Sequence, residues 1–276
     1  MVGKLPELPE VETTRRALEP YLQGKRIVGC EVYQPRLRYP IPANLPSLLR
    51  GRSVIALRRR SKYLILDLDN GSWLLVHLGM SGKIRLVDSL VERDRHDHVE
   101  LVVDREQPTR LRLNDPRRFG CVISGTGDPL EHKLLARLGP EPFESGFDGA
   151  YLYRRARGRR IAIKAFLMDA SVVVGVGNIY ANEALYRAGI RPDRAAGKVA
   201  EKRYAKLAAA VREVLEDALA AGGTTLRDYT DSNGKLGYFV QQLAVYGGGS
   251  CPSCGGELRH VRLAQRSTWF CACCQR

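Results

Sequence analysis

The chain has 276 residues, with 44 Lys and Arg against 30 Asp and Glu, for a formal net charge of +14. That length holds about two domains, and the charge points to a polyanionic partner, because each Lys or Arg near a phosphate releases condensed counterions. No apolar run is long enough to span a membrane and no apolar signal region opens the chain, so the expected compartment is the reducing cytosol, where the seven cysteines serve some purpose other than disulfides.

The first element is a helix from Pro9 to Leu22. Pro9 suits its first turn, Glu10 and Glu12 sit near the positive end of its dipole, and Val11, Thr14, Leu18 and Tyr21/Leu22 form a stripe at helical spacing. Pro6-Glu7 lies just before it and the helix does not explain that pair. Runs rich in Val, Ile and Leu follow, several of them alternating, and together they predict a β-sandwich of about eight strands over residues 6–138. "SKYLILDLD" places Lys62 on one strand face with Leu64, Leu66 and Leu68, where partial desolvation would ready it for proton transfer or phosphate contact; a snorkelling surface lysine is the plainer reading. "HLGMSG" places Met80, and "NDPRRFG" places Arg117 and Phe119, in turns read as hairpin tips. An apolar pair beside an arginine can wedge a base step, although a core plug is the commoner role. "RHDHVEL" puts His96 and His98 on one strand face, with hydrogen bonding to phosphate as the functional reading and a satisfied structural histidine as its equal.

Residues 139–150, "GPEPFESGFDGA", have Pro and Gly without periodicity and read as an interdomain hinge. From 151 to 245 the pattern is helical. In its longest helix Leu207, Val211, Val214/Leu215 and Ala218 share a face that ends at Gly222-Gly223. Gly175 and Gly177 precede a helix that starts near Asn178, a junction able to bind phosphate through backbone N–H groups; a tight helix–helix turn fits as well. Residues 246–276 close the chain. Cys251 and Cys254, then Cys271 and Cys274, have the spacing of one structural Zn²⁺ held by four thiolates. Cys273 competes, but Cys274 preserves the two-residue gap. Between the pairs, two short strands form a hairpin bearing Arg259, Arg262 and Arg266. Cys30 and Cys121 read as core residues. The fold class is α+β: an N-terminal helix and sandwich, a helical domain and a zinc hairpin.

"PELPEVET", "HLGMSG", "HDHV", "DPRRFG", "LGPEP", "VVGVGNIYANEAL", "GGTTL", "GYF", "VYG" and "AQRSTWFC" occur in one order over almost the whole chain. In this the sequence resembles the bacterial formamidopyrimidine-DNA glycosylases, and "PELPEVE" favours their oxidised-purine branch over the related endonuclease VIII branch. The resemblance implies a monomeric, bacterial cytoplasmic enzyme of base excision repair. Such an enzyme removes 8-oxoguanine and formamidopyrimidines from double-stranded DNA and cleaves the strand by β,δ-elimination. It implies Pro6 as the nucleophile and Glu7 as the acid at the sugar. Lys62 matches a proton donor for β-elimination, and Arg266 the residue assigned to δ-elimination. Met80, Arg117 and Phe119 match gap-filling side chains; His96, Arg159 and Asn178 match DNA contacts. The helical domain corresponds to a helix-two-turn-helix module, and Thr224–Tyr238 to a lesion-capping loop.

A proline inside a peptide bond cannot form an iminium, and Pro6 here follows Leu5. Residues 1–5 are therefore expected to be absent from the mature enzyme, Leu5 standing where the family has its initiator methionine; the alternative is that Met1–Leu5 is real and the chain is processed or inactive as a glycosylase. The competing class is a non-catalytic, zinc-containing protein that binds damaged DNA.

Overall fold

The computed structural model describes residues 6–104, 106, 109–222 and 243–276. The 1–5 extension and the expected capping loop at 224–238 lie outside the described residues. The chain divides into two compact units. Of the described residues, one holds Glu10–Ala136 with Pro6; the other holds Glu7–Pro9, 137–222 and 243–276.

Helix α1 spans Leu8–Leu22, and its Val11, Leu18 and Leu22 are buried in the first unit's core as the helical stripe requires. Eight strands follow: β1 (Ile27–Val32), β2 (Val54–Arg60), β3 (Tyr63–Leu68), β4 (Ser72–His77), β5 (Lys83–Val87), β6 (Asp97–Val103), β7 (Arg110–Asn114) and β8 (Cys121–Thr126). They form two antiparallel four-stranded sheets, ordered β2-β3-β4-β8 and β1-β6-β7-β5. Leu57, Leu64, Leu66, Leu74, Val76 and Val122 of the first sheet share one apolar core with Ile27, Ile84, Val99, Leu101, Leu111 and Leu113 of the second. A short helix, α2 (Leu45–Leu49), adds two buried leucines.

Three sequence expectations change here. Lys62 is in the two-residue turn between β2 and β3, beside Ser61 at φ 57°, so it does not share a strand face with Leu64. His96 precedes β6, and only His98 lies in the strand. The turns bearing Met80 and Arg117–Phe119 are not hairpin tips. The β4-to-β5 and β7-to-β8 connections each cross from one sheet to the other. Alternation fixes which face of a strand is apolar, but not which sheet the strand joins.

The second unit contains α3 (Gly149–Ala156), α4 (Ile163–Leu167), α5 (Asn178–Arg187) and α6 (Glu201–Ala220). Asp148 caps α3, its Oδ1 accepting from the Tyr151 N–H at 2.6 Å. The predicted face of α6 (Leu207, Val211, Val214, Leu215, Ala218) is fully buried. The segment expected as a hinge packs within this unit. Phe147 has no exposed surface, and the Arg212 guanidinium donates to the carbonyls of Pro142, Glu144 and Phe147. The chain ends in a hairpin of β9 (Arg259–Leu263) and β10 (Arg266–Phe270), turned by Ala264 and Gln265, both at positive φ.

Candidate active site

In the second unit the candidate residues gather around the start of α5. Glu7 is fully buried, and its carboxylate accepts from the Gly177 N–H (2.7 Å) and the Ile179 N–H (3.0 Å). The next residue, Leu8, donates its N–H to the Gly175 carbonyl at 3.1 Å. Both glycines are required. A Cβ on Gly177 would lie 2.5 Å from Glu7 Oε1, and one on Gly175 would lie 2.5 Å from Leu8 Cδ1; Gly175 also has φ +80°. The Gly175–Asn178 junction, read from sequence as a phosphate site, is thus an anion site already filled by the chain's own carboxylate. Backbone donors at a helix N-terminus suit a carboxylate as well as a phosphate. Asn178, expected to contact DNA, begins α5 with its side chain largely buried, and its Nδ2 reaches the Tyr246 hydroxyl at 3.4 Å.

Nothing in the sequence pattern marks Lys164 of α4. It is 1% exposed, and its ammonium donates to the Ser267 carbonyl (2.9 Å) and to Thr268 Oγ1 (2.8 Å) on β10. Burial pushes its pKa down to about 7; the negative charge of Glu7 opposes the shift and the positive charge of Arg266 adds to it. Those two electrostatic couplings tie Glu7, Lys164 and Arg266 into one cluster. Arg266 itself is exposed, as the first residue of β10 after the hairpin turn. Glu183 was missed too. Its buried carboxylate accepts from three consecutive N–H groups, those of Ala244, Val245 and Tyr246. An acid among the apolar residues of "NIYANEALY" is the signal that could have revealed it. Arg159 lies in the turn before α4, with its guanidinium 3.8 Å from Asp169 and 5.9 Å from the Phe166 ring centroid.

Cys251, Cys254, Cys271 and Cys274 place their four sulfurs within 4.8 Å of one another, and Cys273 is exposed outside the group. Zn–S bonds of about 2.3 Å in a tetrahedron require sulfurs about 3.8 Å apart. The Cys251–Cys274 and Cys254–Cys271 separations are 3.8 Å and 3.5 Å. The donor set and its geometry fit one structural Zn²⁺. Among the described residues the apolar cluster around the cysteines is small, with Val245, Leu258, Cys251 and Cys271 buried in it, so a bound metal would add substantially to its stability.

In the first unit Pro6 is half-buried at the start of the described chain, and Lys62 lies near His77. Burial, with the positive charges of Lys62 and Arg38, pushes the His77 pKa down to about 4. The neutral ring accepts from the Gly79 N–H at 2.9 Å. Met80 follows in the β4–β5 crossing. In the β7–β8 crossing Arg117 lies over the Phe119 ring at 4.8 Å, and Phe119 is 44% exposed. A Cβ on Gly79 would overlap the backbone of Phe119 and Gly120, so the two crossings touch main chain to main chain. His96 is half-buried and donates its N–H to Asp94 Oδ1 at 2.7 Å.

Three family models match the chain: the formamidopyrimidine-DNA glycosylase N-terminal domain over residues 5–122, the formamidopyrimidine-DNA glycosylase H2TH domain over 138–230, and a zinc finger found in FPG and IleRS over 248–276. A curated relative, the formamidopyrimidine-DNA glycosylase of Halorhodospira halophila, is 62% identical over 272 residues, covering 99% of this chain and 100% of that one. The crystal structure of the MutM (FPG) protein from Thermus thermophilus has a TM-score of 0.86 and 39% identity over 98% of both chains. The Lactococcus lactis Fpg, solved with abasic-site DNA and with N7-benzyl-Fapy-dG DNA, has a TM-score of 0.89 and 34% identity in each complex. The match covers 98% of this chain and 99% and 100% of those.

Proposed function

The chain belongs to the formamidopyrimidine-DNA glycosylase family, and from that membership we propose that it is a bifunctional DNA glycosylase and AP lyase of base excision repair. Its substrates are 8-oxoguanine and formamidopyrimidines in double-stranded DNA. It acts as a cytoplasmic monomer. Residues 6–138 form the catalytic domain and 151–245 the helix-two-turn-helix DNA-binding domain, with 246–276 as the zinc finger.

The reaction begins with eversion, because the lesion is inaccessible in the stack and costs a few kcal/mol to extrude. Met80, Arg117 and Phe119 fill the vacated space; the exposed, cation-stacked Phe119 is suited to that. His96, Arg159 and Asn178 contact the DNA. The Pro6 nitrogen attacks the anomeric carbon while the bond to the base breaks, and the base leaves with a proton. An α-amino group has a reference pKa of about 7.7–8.0 against about 10.4 for a lysine ammonium, so a terminal amine is the more available nucleophile at neutral pH. Being secondary, the Pro6 amine gives a cationic iminium once the sugar opens. That electron sink allows loss of the adjacent proton and departure of the 3′ phosphate, then of the 5′ phosphate. Glu7 serves the proton transfers at the sugar, Lys62 the first elimination and Arg266 the second. Hydrolysis returns the free amine.

The observation that carries this reading is the seating of Glu7 on the Gly177 and Ile179 amides. It fixes the residue directly after the proposed nucleophile, a constraint that mere DNA binding does not require. The test is borohydride trapping on 8-oxoguanine duplex with protein that begins at Pro6. A covalent complex is expected; no trapped species leaves a zinc-containing DNA binder. Intact Met1 on fully active native enzyme, seen by mass spectrometry, would remove Pro6 as the nucleophile.

A further inference from the structure

We infer that Asp115 is a positioning residue, joining the Met80 crossing, the Arg117–Phe119 crossing and the His96 turn into one rigid insert for base eversion. The inference rests on the glycosylase reading above. Asp115 is fully buried immediately after β7. Its Oδ1 accepts from the Ser81 hydroxyl at 2.7 Å, one residue after Met80. Its Oδ2 accepts from the Gly120 N–H at 2.8 Å, one residue after Phe119. Its own N–H donates to the His96 carbonyl at 3.0 Å, and its carbonyl accepts from the Arg118 N–H at 3.1 Å and lies 2.8 Å from His98 Nε2. The Arg117 N–H in turn reaches Ser81 Oγ at 3.3 Å. All four polar atoms of one side-chain and main-chain unit thus go to the three segments that carry Met80, Arg117, Phe119 and His96.

The donors to its carboxylate are neutral, and among the described residues no ion pair includes Asp115. A buried carboxylate without a cation is a poor way to stabilise a fold. It is a good way to fix geometry, since two oxygens in a plane set the separation of two donors. The arrangement leaves little room for adjustment: a Cβ on Gly120 would come 2.5 Å from the His77 carbonyl oxygen and 3.1 Å from Asp115 Oδ2.

Asp115→Asn keeps size and shape but replaces one oxygen by an NH2, which either opposes the Gly120 N–H or reverses the Ser81 bond, forcing that hydroxyl to accept beside the Arg117 N–H it already receives. Ser81→Ala removes only the Ser81 arm. The experiment compares single-turnover excision of 8-oxoguanine with strand cleavage at a preformed abasic site. A 2-aminopurine beside the lesion reports eversion. Asp115→Asn is expected to slow eversion and excision by about tenfold or more while abasic-site cleavage stays within about threefold, because an abasic nucleotide leaves the stack easily. Ser81→Ala should move in the same direction by less, and the double variant should be no worse than Asp115→Asn. Equal slowing on both substrates, or none on either, overturns the inference. Should Asp115→Asn not fold, Ser81→Ala decides alone, and unchanged eversion counts against it. A wild-type chain beginning at Pro6 that cuts neither substrate sinks the glycosylase reading, and the inference with it.

Discussion

The Glu7 carboxylate and the Gly177 amide meet at 2.7 Å although 170 positions separate them in the chain. Gly177 has no side chain because a Cβ there would occupy the space of the Glu7 carboxylate. Gly177→Ala is therefore expected to expel Glu7 from the α5 N-terminus while leaving the zinc module intact. Borohydride trapping should fall by about 100-fold or more, the cost of misplacing a reacting group by an ångström. Zinc content and affinity for undamaged duplex should hold, and unchanged trapping would show that the seat is not needed.

Glu7→Gln leaves one acceptor for two amides. Base excision should be lost with duplex affinity kept within about threefold, since the change lies outside the expected phosphate contacts. Gel-based excision and fluorescence anisotropy read the two separately.

Lys164 makes stability depend on pH in a definite direction. Its folded pKa is about 7, below the unfolded value near 10.4. Between those values the unfolded chain binds more protons, so this group's contribution grows more favourable as pH rises above 7 and is least favourable below it. Lys164→Met removes that dependence. The stability of the variant relative to wild type should be higher at pH 6 than at pH 9 by about 2 kcal/mol, from denaturant unfolding at both pH values. A pH-independent difference would show that Lys164 remains charged in the fold.

The two cysteines at the end of the chain should differ sharply. Cys273→Ser should keep one equivalent of zinc, whereas Cys274→Ser leaves three thiolates and should lose it. Chelation should likewise abolish DNA binding by wild type. A colorimetric zinc assay on the purified proteins distinguishes the ligands, and zinc retained by Cys274→Ser would reassign the fourth one.

Among the described residues Arg159 is held by a 3.8 Å approach to Asp169 and a cation–ring contact to Phe166, both loose enough to leave its charge for a phosphate. Arg159→Ala should weaken duplex binding evenly across sequences and reduce the slope of log affinity against log salt by about 1, as for one phosphate contact. A salt titration measures it, and an unchanged slope would remove Arg159 from the interface.

Features set by short spacing were legible in the sequence. The stripe of α1, the apolar face of α6 and the four zinc cysteines each depend on residues a few positions apart or on a fixed pair spacing. Glycines at 175 and 177 read as a phosphate site, but the anion seated there is Glu7, and nothing near the glycines names a partner so distant. Lys62 followed the alternation of "KYLILDL" and still belongs to the turn, because two residues had to be spent reversing β2 into β3. Lys164 was invisible for a similar reason: "AIKAFL" reads as an ordinary helix, and Thr268 on β10 reaches it from 104 positions away.

The passages Leu78–Gly82 and Asp115–Gly120 carry the chain between its sheets, and Gly79 lets them touch. The side chains expected to probe DNA therefore ride on the joints that close the sandwich. These two passages are not independent fingers: reshaping one joint is felt by its neighbour, whose main chain it touches. Evolution of lesion preference on this frame is left with exchanging side chains on a fixed main chain, or with changes in other parts of the molecule.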